Sequence, residues 1–155
     1  MTGASLARRL VALAMVGVMT TVLSGCTPEY DVSLRLLDQA VEFAPCQSVT
    51  FNSIYVYAEL KNSDDDAVLM WQSSGVASNL SAGDAIEYGS PPDGFSNVLP
   101  PADLVIKGYV ISVYFENAVG GDVQSDVYGS FDGDELKSDT WLNSKRGQTA
   151  SACEE

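Results

Sequence analysis

The side chains here that could do chemistry are carboxylates, tyrosines and three cysteines, because the sequence contains no histidine. Without an imidazole there is no Ser-His-Asp or Cys-His nucleophile pair and no histidine metal site. No Ser-x-x-Lys occurs near a helix start, which leaves acid chemistry to weigh. Asp132-Gly133-Asp134-Glu135 has the outline of a calcium loop. With Asp132 at the first ligand position, the fifth falls on Leu136 and the required glycine on Lys137. Leucine cannot ligate, so the segment reads as an acidic turn. Asp64-Asp65-Asp66 cannot aim three adjacent side chains at one ion and reads as a solvated turn. No metal and no cofactor is expected. A glycosidase needs two carboxyls roughly 5–9.5 Å apart across a cleft. Glu59, Glu116 and Asp126 fall on the outer faces of strands, where neighbours reach that spacing without a cleft. The expectation is a protein that is not an enzyme, with a carboxylate-based hydrolase as the alternative.

Tyr55, Tyr57, Tyr114 and Tyr128 are the candidate binding face. Each lies opposite the apolar face of its own strand. If these strands share a sheet, its outer face carries a tyrosine patch rimmed by Glu59, Glu116 and Asp126. Aromatic side chains flanked by acids suit a face that binds a peptide or a sugar. The competing explanation is cross-strand aromatic packing that only stabilises the sheet. The apolar face is the better candidate for the core, so the tyrosines are expected to be partly exposed, with their hydroxyls in water.

The elements that position these residues are strands. In residues 31–37, Val32, Leu34 and Leu36 alternate with polar partners. In residues 49–60, Ile54, Val56, Ala58 and Leu60 share one face, and Tyr55, Tyr57 and Glu59 share the other. The segment 104–116 puts Tyr109, Ile111, Val113 and Phe115 on its apolar face. After a Gly120-Gly121 hairpin, the return strand sets Val123, Val127 and Phe131 against Gln124, Asp126, Tyr128 and Ser130. Period-two alternation with β-branched and aromatic residues argues strand over helix. Shorter strands are expected at 68–72, around Ile86 and Tyr88, and at Trp141-Leu142. Residues 38–43 could make one helical turn ended by Pro45, and 73–79 reads as a loop. Pro91-Pro92-Asp93-Gly94 and Pro100-Pro101 bound a long irregular excursion over 89–101. About seven strands with regular turn signals predict an all-β, antiparallel β-sandwich of immunoglobulin-like architecture. The Cys…Trp…Cys core of that family is not reproduced, since Trp71 follows Cys46 by 25 residues and Cys153 is nearly terminal.

The N-terminus carries a separate signal. Arg8-Arg9 precede an apolar run over residues 10–19, and Leu23-Ser24-Gly25-Cys26 comes after it. The run is short for a membrane-spanning helix, which needs about 20 apolar residues, and fits a signal-peptide core of roughly 7–15. The four residues 23–26 resemble the lipobox of bacterial lipoproteins: a bulky aliphatic, two small residues, then cysteine. The resemblance implies removal of residues 1–25, including the signal helix, and lipidation of Cys26. It implies anchoring to the cell membrane on its extracytoplasmic face. The alternatives are an uncleaved anchor helix and, from Arg8-Arg9, a twin-arginine signal. Residues 26–30 then form the lipidated cysteine and a short tether. That tether lifts the domain only some 15 Å from the head groups, at about 3.5 Å per residue.

Residues 31–155 make one domain by length. Its surface is strongly acidic: all 21 acidic residues lie beyond Cys26, whereas Arg8 and Arg9 account for two of the eight basic ones. Such a surface repels nucleic acid, whose binding rests on phosphate neutralisation, and anionic head groups as well. In the oxidising compartment that the resemblance implies, Cys46 and Cys153 read as a disulfide, with two free thiols as the alternative. The expected function is a lipid-anchored lipoprotein that binds or scaffolds an envelope protein or glycan. The alternatives are an envelope hydrolase and a structural surface lipoprotein without a specific ligand.

Overall fold

A computed structural model describes residues 29–145 and 147–153. The apolar run, the box at residues 23–26 and Cys26 lie outside the described residues. The alternation in the sequence becomes eleven strands among the described residues. These are β1 (Glu29–Tyr30), β2 (Val32–Leu37), β3 (Ala40–Pro45), β4 (Val49–Leu60), β5 (Val68–Leu80) and β6 (Ile86–Glu87). The others are β7 (Phe95–Leu99), β8 (Tyr109–Val119), β9 (Asp122–Asp132), β10 (Trp141–Asn143) and β11 (Gly147–Thr149). They form a β-sandwich of two sheets, one ordered β1-β9-β8-β4-β5-β7 and the other β11-β10-β2-β3-β6. Within the sheets every neighbouring pair is antiparallel except β1 beside β9, which is parallel. Among the described residues no helix is long and apolar enough to cross a membrane.

The core lies where the two apolar faces meet. Val32, Leu34 and Phe43 from the smaller sheet are buried against Phe51, Ile54, Val56, Ile111, Val113 and Phe115 from the larger one. Phe43 sits between Trp71 and Phe115, with ring centroids 6.0 and 5.8 Å away in tilted and edge-on geometry. Such offsets place positive ring edges on negative ring faces. Trp71 is fully buried, and its indole N–H donates to Asn97 Oδ1 at 2.7 Å, so that donor is satisfied. Cys46 and Cys153 stand at disulfide distance with Cα atoms 5.0 Å apart, closing a sequence separation of 107.

Four expectations from the sequence are corrected. Residues 38–43 are not helical: Asp38 and Gln39, with φ of 48° and 73°, form the two-residue turn of a hairpin that pairs β2 with β3. Positive φ at both central positions matches the right-handed twist of the flanking strands, which is why such turns join hairpins. Residues 73–79 are not a loop but the second half of β5. They are held by β4 on one side and, through Ser73–Gly75, by β7 on the other. The 89–101 excursion therefore contains a strand, β7, at the sheet edge. Finally, two side chains assigned inward are not in the core. Leu60 is 44% exposed at the end of β4, and Val123 is 54% exposed because a register shift opposite Asn117 and Ala118 displaces it.

Candidate functional site

Backbone register assembles the tyrosines. Tyr55 of β4 lies directly across from Tyr114 of β8, and Tyr114 directly across from Tyr128 of β9. Tyr57 is two residues along β4 and so shares the face of Tyr55. The flanking residues Ile54, Val56, Ala58, Val113 and Phe115 are all buried in the core, which turns the tyrosines outward. The four rings form one continuous chain. Tyr55 and Tyr57 are nearly parallel at 6.4 Å, Tyr57 meets Tyr114 edge-on at 5.7 Å, and Tyr114 stacks on Tyr128 at 5.0 Å. Tyr55, Tyr57 and Tyr114 are half-buried. Tyr128 differs from the sequence expectation: at 9% exposure it is buried, with Tyr114 lying flat against it. It supports the surface rather than presenting one.

Acids edge this aromatic row. The Tyr55 hydroxyl donates to Glu116 Oε1 at 3.4 Å, and Glu116 faces Asp126 across β8 and β9. Burial, with the negative charge of Glu116 beside it, pushes the Tyr55 hydroxyl above its ordinary value of 10.0. Tyr55, Tyr57 and Tyr114 with Glu116 and Asp126 line an open groove of about 760 Å³ that also takes in Glu59, Ser112 and Val123, with no lysine or arginine among the described residues of its wall. Aromatic faces attract cations through the ring quadrupole, and carboxylates accept charge-assisted hydrogen bonds. A lining of this kind is complementary in charge to a cationic group. Ser112, whose hydroxyl donates to that of Ser130 at 3.2 Å, follows from the alternation of β8. Val123 was hidden from sequence reasoning by the bulge in β9.

The acid turn after β9 has its positive charge supplied by the chain itself. Lys61 Nζ donates to both oxygens of Asp132 at 2.8 and 2.6 Å and to Asp134 Oδ2 at 2.8 Å. Asp132 also caps the 3-10 turn Gly133–Glu135 by accepting from the Asp134 amide at 2.9 Å. Among the described residues no group of three or more acids, cysteines or histidines is placed to hold a metal ion. Asp64, Asp65 and Asp66 are exposed in the turn between β4 and β5. Asp126 is exposed and Glu116 only half-buried, on the open side of a sheet.

The disulfide is sealed by polar contacts. Ser33, fully buried, donates to the Ala152 carbonyl and accepts from Asn143 Nδ2 at 3.0 Å. This fastens the C-terminal residues over the β3 end. Compared with known proteins, the chain matches no protein-family model, no curated protein and no solved structure.

Proposed function

We propose that the protein is a lipid-anchored, extracytoplasmic lipoprotein of the bacterial cell envelope that binds or scaffolds another envelope component through its tyrosine face. The observation that supports the binding reading is the row of three rings, Tyr55, Tyr57 and Tyr114, backed by Tyr128, along an acid-edged groove whose described lining holds no lysine or arginine. A row that only stabilised a sheet would have no need of carboxylates along it. These carboxylates favour a basic protein segment as the partner over a neutral glycan. The anchoring reading rests on the Leu23-Ser24-Gly25-Cys26 box and the apolar run before it.

Each half has its own experiment. Cys26→Ser removes the thiol that would be alkylated, so the variant is expected to accumulate as full-length precursor. Mature, membrane-bound Cys26→Ser protein in a fractionation would refute the anchor. For binding, wild type, Tyr57→Ala and Tyr114→Ala are compared in pull-downs from envelope extract. Each substitution is expected to weaken capture of the partner by about 2 kcal/mol or more, the range of an aromatic hot spot. Equal recovery of every partner by variants that melt normally would overturn the binding face.

A further inference from the structure

A second depression lies across the β4–β5 turn from the tyrosine groove. We propose that it is a docking site for a lysine side chain on a partner polypeptide. The cavity, of about 380 Å³, has a floor of Ala58, Met70 and Tyr109. Its mouth is lined by Leu60, Val68 and Val105, which are 44, 60 and 54% exposed. Three large aliphatic side chains around one opening form an apolar patch rather than scattered surface residues. Asp65, Asp66 and Asp103 stand at the same opening. Among the described residues none of the three is in an ion pair, and Lys61 pairs with Asp132 and Asp134.

Apolar depth under a negative rim matches a side chain with a hydrocarbon stem and a cationic end. A free alkylamine would cover the floor and leave the three aliphatic side chains at the mouth in water. A lysine within a polypeptide brings flanking residues that cover them. The pocket is also ready-made. One wall, residues 102–106, is pinned to β5 by the Ala102 amide donating to the Met70 carbonyl at 3.0 Å. The Tyr88 hydroxyl lies 3.0 Å from that carbonyl and 2.8 Å from the Ala102 carbonyl, bracing the same wall. A preformed wall lowers the ordering cost of binding.

The test is an NMR titration of isotope-labelled protein with acetyl-Gly-Ala-Lys-Ala-Gly-amide, its norleucine counterpart, and n-pentylammonium. The lysine peptide is expected to move the amide resonances of Ala58, Val68, Met70 and Val105 and to saturate. The norleucine peptide should bind about tenfold more weakly, as should the lysine peptide to the Asp66→Asn/Asp103→Asn variant. That variant spares Asp65, which accepts from Ser63 Oγ at 2.7 Å within the turn, so the fold should be kept. Unchanged resonances, equal binding of the norleucine peptide, or equal binding by the variant would overturn the proposal. Saturation by n-pentylammonium without binding of the peptide would also overturn it, by making the ligand a free amine. Shifts confined to Tyr55, Tyr57 and Tyr114 would refute this pocket while leaving the tyrosine groove standing.

Discussion

Lys61 ties the end of β4 to two carboxylates. Its two aspartate partners belong to the end of β9 and the turn after it, and Asp134 Oδ1 also accepts from the Gly108 amide at 3.0 Å. The bonds from Asp132 and Asp134 raise the Lys61 pKa from 10.5 to about 12, and the bond from Lys61 holds both carboxyls below their ordinary 3.8. The raised lysine contributes stability below pH 10.5 that is lost as pH rises through 12. The lowered acids contribute stability above pH 3.8 that is lost as pH falls through their depressed values. The melting-temperature gap between wild type and Lys61→Met should therefore be flat between about pH 5 and 10 and narrow on either side. A gap unchanged at pH 2 would contradict the pairing. Tyr57 and Tyr114 belong to the same scale: truncating either should cost about 1 kcal/mol of stability as a solvent-face pair, and a larger drop in a thermal melt would make them core. The four tyrosines were legible because alternation names a face. That Tyr128 is covered was not, since alternation says nothing of what lies on the outer side.

Strands β4 and β8 were readable because their inward positions are apolar without interruption, from Ile54 to Ala58 and from Ile111 to Phe115. The second half of β5 was not. Its Ser73-Ser74-Gly75 segment pairs through backbone groups with β7, and a ladder of amides and carbonyls leaves no mark in composition. Gly75 itself is a consequence of that pairing, since a side chain there would meet the Gly94 carbonyl. Strand order was equally hidden, because β4 finds β8 across some fifty residues of intervening chain. Elements also meet at Gly133, where a methyl group would run into the Ile106 carbonyl oxygen and close on that of Tyr109. Gly133→Ala should thus push the acid turn away from the start of β8 and destabilise the fold by about 2–4 kcal/mol, measured by denaturant unfolding. A loss under about 0.5 kcal/mol, the range of ordinary surface changes, would mean the turn is free to move.

For the molecule as a whole, the disulfide does what a larger core would otherwise do. Closing a loop of this length lowers the entropy of the unfolded chain by an amount worth up to about 4.7 kcal/mol, before any strain is subtracted. Cys153→Ala should lower unfolding free energy by about 2–5 kcal/mol, and two free thiols by non-reducing mass spectrometry would remove the claim. The sandwich class was legible from strand count and turn spacing; the pairing of Cys46 with Cys153 was read only through the lipobox resemblance, which sets Cys26 apart, and the two stand at disulfide distance. The disulfide also decides how the molecule answers a mechanical pull. Held at Glu29 and drawn at Cys153, the covalent path runs only from residue 29 to residue 46 and then crosses the sulfur bond. Strands β4 to β11 hang off that path as a closed ring and feel no tension through their backbone. Extension should stop after roughly 60 Å at about 3.5 Å per residue, with a further roughly 370 Å released only when a reductant cuts the ring. In a protein held by its N-terminus and tugged at its tail, β1 to β3 would carry the load and the backbone of the tyrosine-bearing strands would carry none.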